Sequence, residues 1–208
     1  MNLQTAKGAL LTGLVLGVVL LAVFVVWHAC AVRTPPPAPG RAAPPPAPGR
    51  EAARRAPADE ASAIQDLRAR RLEFPVAGAL PSDLRDSFDE ARGSRVHEAV
   101  DIPAPRGAPV RAVEDGTIAK LYQGAAGGIS VYQFDAGERY CYYYAHLQRY
   151  APGLREGQQV RRSEVIGFVG TTGNAPESTP HLHFAIFRLD EGKQWWRGTP
   201  VNPLPVLR

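Results

Sequence analysis

Two short motifs carry side chains that could share one cation. In HEAVD, His97 and Asp101 stand four residues apart. In TPHLHF, His181 and His183 flank Leu182. Read as a strand, the second motif sends both imidazoles to one face together with Ala185, while Leu182, Phe184 and Ile186 take the other. Adjacent imidazoles repel when protonated and need partners when buried and neutral. His97 and Asp101 could meet on one helical face or on one face of an extended segment; Pro103 and Pro105 disfavour the helix. His146 ends the run RYCYYYAHL. Alternation places it with Tyr140, Tyr142 and Tyr144, opposite Cys141, Tyr143 and Ala145. Tyr142 and Tyr144 then either line a groove or simply pack the sheet.

Together, four histidines and an aspartate supply neutral imidazole and carboxylate, the donors that Zn²⁺ takes in tetrahedral sites. A catalytic zinc needs three protein ligands and one open position, which leaves two histidines to move protons. That is an inventory for metal-assisted amide hydrolysis. The fifth histidine, His28, borders an apolar run and is incidental.

The elements that must position these groups read as strands. After Phe74, β-branched and aromatic runs at 110–113, 117–122, 129–134, 139–147, 165–169 and 181–187 alternate with Gly- and Pro-marked turns. The spacing predicts a mainly β, antiparallel domain over 72–208. Residues 59–71 precede it as a short helix, with acids first and arginines last, as the macrodipole prefers.

The first 58 residues have a different character. Residues 9–27 are apolar and uncharged, long enough as a helix to cross the ~30 Å hydrocarbon layer. This predicts a cytoplasmic stretch at 1–8 and a single-pass anchor at 9–32. A cleaved signal peptide is the rival, and the run is longer than the usual apolar core of one. Residues 33–58 are rich in Pro, Ala and Arg, with PPPAPGR at both 35–41 and 44–50. Such a linker is extended and reaches about 70 Å. It is either a passive spacer or a docking strip for a Pro-binding protein partner. Before Asp59 the chain has six basic side chains and one acid, although the whole carries only +4. The folded part is therefore nearly neutral, which argues against a nucleic-acid partner. Cys30 and Cys141 are not expected to pair, since a bridge would tie the anchor to the domain core.

HEAVDI, YYAHL and TPHLHF, in this order, resemble the lysostaphin/LytM-type zinc endopeptidases, with their HxxxD, AHL-type and HxH motifs. FPVAG, DGTIAKLY and GQQVRRSEVIGFVGTTGN are similar to the family's intervening segments, so the likeness covers 72–189. Ala99 stands where the family usually has Gly, and Ala185 where it often has Glu. The resemblance implies a small antiparallel β-sheet or sandwich with a groove over one Zn²⁺ per chain. It implies His97, Asp101 and His183 as metal ligands, His146 and His181 as catalytic residues beside the water and the scissile carbonyl, and peptidoglycan as substrate. The membrane-anchored domain would then face the wall from the inner membrane, in the periplasm, and a partner at the Pro-rich linker would be a protein of the cell-wall machinery. Some relatives lack the ligands and act as peptidoglycan-binding or amidase-regulating modules; retention of all five residues favours the enzyme.

Overall fold

The computed structural model describes residues 57–208. The anchor and linker expected at 9–58, with His28 and Cys30, lie outside the described residues. No helix among the described residues is long and apolar enough to cross a membrane.

The strands expected from alternation are present, in a fold that is mainly antiparallel β. They are β1 (Ala91–Arg92), β2 (Arg95–Val96), β3 (Val100–Pro103), β4 (Pro109–Arg111), β5 (Gly116–Gly124), β6 (Gly128–Asp135), β7 (Tyr140–Tyr150), β8 (Gln159–Val160), β9 (Val165–Val169), β10 (His181–Arg188) and β11 (Thr199–Val201). β1 and β2 form a separate hairpin, and the other nine make one sheet whose main order is β11-β10-β7-β6-β5-β8. β7 is the spine. β6 runs along one edge, and the other edge changes partner: residues 140–145 pair with β10, whereas Leu147, Arg149 and Tyr150 pair with β9. His146 sits where the partner changes.

One sheet face makes the core. Tyr142, Tyr144, Leu182, Phe184 and Ile186 are fully buried there with Val100, Ile102, Ile118 and Val131. The rings of Tyr142 and Phe184 stack at 6.5 Å. Tyr144 spends its hydroxyl inside, donating to Gln133 Oε1 at 2.8 Å and accepting from the Val113 amide at 3.1 Å. Tyr142 and Tyr144 therefore do not line a groove, and sheet packing is the reading that holds. Cys141 is a buried free thiol, and burial pushes its pKa up.

The helix α1 (Pro57–Arg70) is part of this core, not an appendage to it. Ala63 and Leu67 pack into the hydrophobic cluster, beside the short helix α2 (Leu204–Leu207). Arg68 Nε donates to the Pro205 carbonyl at 2.7 Å. At its C-terminal end, Arg70 meets Asp135 at 2.9 Å and Glu114 at 3.0 Å, and Arg162 donates to the Arg70 and Arg71 carbonyls. Asp135 also caps the β6–β7 turn, accepting from the Arg139 and Tyr140 amides at 2.6 and 2.7 Å. The Arg70 guanidinium thus neutralises a carboxylate that is only 2% exposed. Removing one partner of a buried pair leaves the other charge uncompensated. Arg70→Met should lower unfolding free energy by about 3 kcal/mol, seen in urea titration as a lower midpoint at unchanged slope.

Candidate metal centre

Three of the predicted residues converge. His97 Nε2, Asp101 Oδ1 and His183 Nδ1 form a nearly equilateral triangle with sides of 3.1, 3.1 and 3.2 Å. Asp101 and His183 are cross-strand partners on β3 and β10, so strand pairing alone sets that edge. His97 precedes β3 in a loop. Its approach depends on Glu98, which holds a left-handed backbone at φ 53°. The loop is fixed by the Glu98 amide on the Phe88 carbonyl at 2.8 Å and the His97 amide on the Glu90 carbonyl at 2.9 Å. His97 and Asp101 thus meet through a backbone turn, and neither a helical nor an extended face brings them together.

The remaining histidines close around the same point. The His146 ring lies 5.0 Å from that of His181 and 5.6 Å from that of His183, centroid to centroid. His181 Nε2 is 3.7 Å from Asp101 Oδ1. His146 does not share the face of Tyr140, Tyr142 and Tyr144. Between the pairs Ile129↔Leu147 and Val131↔Tyr144 the register slips, so Ala145 and His146 together oppose Ser130. In this bulge His146 adopts φ 60°. An extra residue of this kind reverses the facing of the side chain. The imidazole consequently joins the face of Tyr143, whose ring is 5.8 Å from His183. A left-handed non-glycine residue costs about 1–2 kcal/mol, and local bonds hold it here. The His146 amide donates to the Gly127 carbonyl at 2.8 Å. Thr172 Oγ1 donates to the Leu147 carbonyl at 2.7 Å and accepts from the Ile129 amide at 2.9 Å. The 172–173 backbone lies so close to Gly128 that a Cβ there would stand 2.2 Å from Thr172 Oγ1; Gly128 also takes φ 63°, which glycine alone adopts freely.

Backbone carbonyls set the tautomers. His97 Nδ1 lies 2.9 Å from the Ser87 carbonyl, His146 Nδ1 2.8 Å from that of Thr172, and His181 Nδ1 2.8 Å from that of Thr179. A carbonyl oxygen only accepts, so each Nδ1 carries the hydrogen and each neutral ring offers a bare Nε2. His97 Nε2 and Asp101 Oδ1 therefore face each other at 3.1 Å with lone pairs on both sides, an arrangement that calls for a cation. Four donors placed tetrahedrally at Zn–N and Zn–O lengths of ~2.0–2.1 Å stand about 3.3 Å apart. The observed triangle fits that spacing, and its donor set fits zinc. Asp101 Oδ2, on the other side, accepts from Arg92 at 3.1 Å. The sequence reading missed Arg92; its only signal was an arginine shortly before the HEAVD motif.

In the metal-free chain a proton plays the part of the cation. Burial by itself would raise the Asp101 carboxyl, but hydrogen bonds donated by the His183 and His97 rings hold it far below the usual carboxylate range. Burial lowers the His183 imidazole, against the pull of Asp101. Burial chiefly, with repulsion from His183 and His181, holds His146 down at about 4. A group that loses basicity on folding is neutral in the native state while the unfolded chain still binds protons. Stability of the metal-free domain should then fall as pH drops from about 6.5 towards 4. Asp101 stays ionised in that window, and its own contribution is lost only at more acid pH. Urea midpoints of metal-free protein at pH 7 and pH 5 should differ in this sense, and His146→Asn should reduce the difference.

Residues 95–203, just over half of the chain, match the model of Peptidase family M23. The five clustered residues all lie within that span. The chain is 34% identical over 143 residues to the L-Ala–D-Glu endopeptidase of Bacillus subtilis, an alignment that covers 65% of this chain and 42% of that protein. It is 39% identical over 116 residues to the DD-carboxypeptidase/endopeptidase Mpg of Neisseria meningitidis serogroup B, covering 54% and 23%. The chain thus spans less than half the length of either relative. Among solved structures, the Ruminococcus gnavus protein assigned as a glycyl-glycine endopeptidase lytM superimposes with a TM-score of 0.56 at 28% identity, covering 66% of this chain and 60% of that one.

Proposed function

The chain belongs to Peptidase family M23, and from that premise we propose that it is a zinc-dependent endopeptidase that hydrolyses cross-links or stem peptides of bacterial peptidoglycan. The observation that carries the reading is the triangle of His97 Nε2, Asp101 Oδ1 and His183 Nδ1, with two further imidazoles beside it. The two named relatives, an L-Ala–D-Glu endopeptidase and a DD-carboxypeptidase/endopeptidase, support the substrate class. The apolar run at 9–27 and the Pro-rich stretch after it support a domain tethered to the inner membrane and working in the periplasm.

In this mechanism His97, Asp101 and His183 would hold the metal. When bound, Zn²⁺ supplies Lewis acidity and a nucleophilic water at neutral pH. Arg92 fixes Asp101 by occupying Oδ2, which leaves Oδ1 for the cation. His146 and His181, whose Nδ1 atoms are held by carbonyls, would present bare Nε2 atoms beside the metal donors. One would take a proton from the attacking water at its Nε2 and, so protonated, pass it to the leaving amine; the other could support the oxyanion only when its own Nε2 carries a hydrogen. His146, with its basicity lowered by burial, is unprotonated throughout the neutral range, so its Nε2 is open to the water's proton.

Incubating the zinc-loaded domain with purified sacculi, with mass spectrometry of the released muropeptides, tests the reading and identifies the bond. Intact sacculi would favour a non-catalytic regulator and overturn the proposal. His183→Ala should lose both zinc and activity, whereas His146→Ala should retain zinc and lose most turnover. Arg92→Ala should weaken zinc affinity by roughly 10- to 100-fold, measured by competition with a chromogenic chelator.

A further inference from the structure

The β1–β2 hairpin reaches the metal centre through Arg92, whose guanidinium touches Asp101. Its register places Arg92 directly opposite Arg95, across a turn in which Gly93 takes φ 67°. Directly opposed residues of an antiparallel pair project to the same face, with Cβ atoms about 4.5–5.5 Å apart. Both arginines are exposed. Like charges so placed destabilise a hairpin unless anions compensate them. The anions present serve Arg92 alone: Asp101 at 3.1 Å and Glu90 at 2.9 Å. Arg95 has no acidic partner among the described residues. Since Arg92 is turned towards the metal donors, the shared face of the hairpin is the one that borders the centre.

We propose that Arg95, beside Arg92, is the specificity-determining residue of a carboxylate-binding subsite that seats a free carboxylate of the substrate peptide next to the scissile bond. This rests on the reading of the centre as a peptidase. A guanidinium is the side chain whose planar fork matches a carboxylate, and a charge-assisted bond of this kind is worth more than a neutral one. A substrate carboxylate would supply the counter-charge that the hairpin lacks and would fix the register of the peptide over the metal. The subsite would favour acidic, unamidated stem peptides over neutral bridges.

The test compares a synthetic cross-linked stem peptide in free-acid and fully amidated forms, using the zinc-loaded full chain. The wild type should cut the free acid with a kcat/KM roughly 10- to 100-fold higher. In Arg95→Ala most of that preference should vanish, through a raised KM for the free acid at unchanged kcat. Arg95→Lys should restore part of it. Equal cleavage of both forms by the wild type, or a preference that survives Arg95→Ala, would overturn the subsite and leave the peptidase reading standing. Cleavage of neither form by the wild type would sink the peptidase reading, and the subsite with it.

Discussion

The site is organised by an electrostatic constraint on Asp101. One oxygen faces His97 Nε2, made bare by the carbonyl that holds the other ring nitrogen. The second oxygen is taken by a guanidinium. A carboxylate and an imidazole lone pair at hydrogen-bonding distance, with no hydrogen between them, repel each other until a cation is shared. The fold can present such a juxtaposition because β3, β10 and the bulge of β7 are fixed by their own ladders and by a well-packed core. The strained approach of the donors is thereby supported from outside the site.

This division of labour explains where the chemistry sits in the sheet. β10 and β9 share one edge of β7 in succession, and the residue at the changeover is free of the regular ladder. A bulge there adds little further disruption and turns His146 from the core face to the open one. Tyr142 and Tyr144 remain buried on the core side, where hydroxyl bonds with Gln133 and Glu114 satisfy them. The two faces of β7 thus do different work: one packs, and the other carries Tyr143 and His146 towards the metal donors.

The antiparallel sheet was legible because its strands alternate and are punctuated by Gly and Pro. The pairing of His181 with His183 was legible for the same reason, since period-two facing needs no tertiary information. The facing of His146 was not, because a bulge and a positive φ at a histidine leave no mark on hydrophobic pattern. The meeting of His97 with Asp101 likewise turns on the left-handed backbone at Glu98. The carbonyls of Ser87, Thr172 and Thr179 that select the tautomers are main-chain groups, carried by every residue type. Arg92 was hidden because its partner is distant enough in the chain to require the hairpin to be seen first. The first 58 residues speak through composition, and their proposed roles as anchor and tether rest on it.

The central claim concerns which atoms surround the metal, so its most direct test is X-ray absorption at the zinc edge of the loaded protein. The account predicts one zinc per chain with two imidazole nitrogens and one carboxylate oxygen from the protein at about 2.0–2.2 Å, and one further light-atom ligand. A sulfur shell at the longer zinc–thiolate distance, or three or more protein imidazoles on the ion, would contradict it.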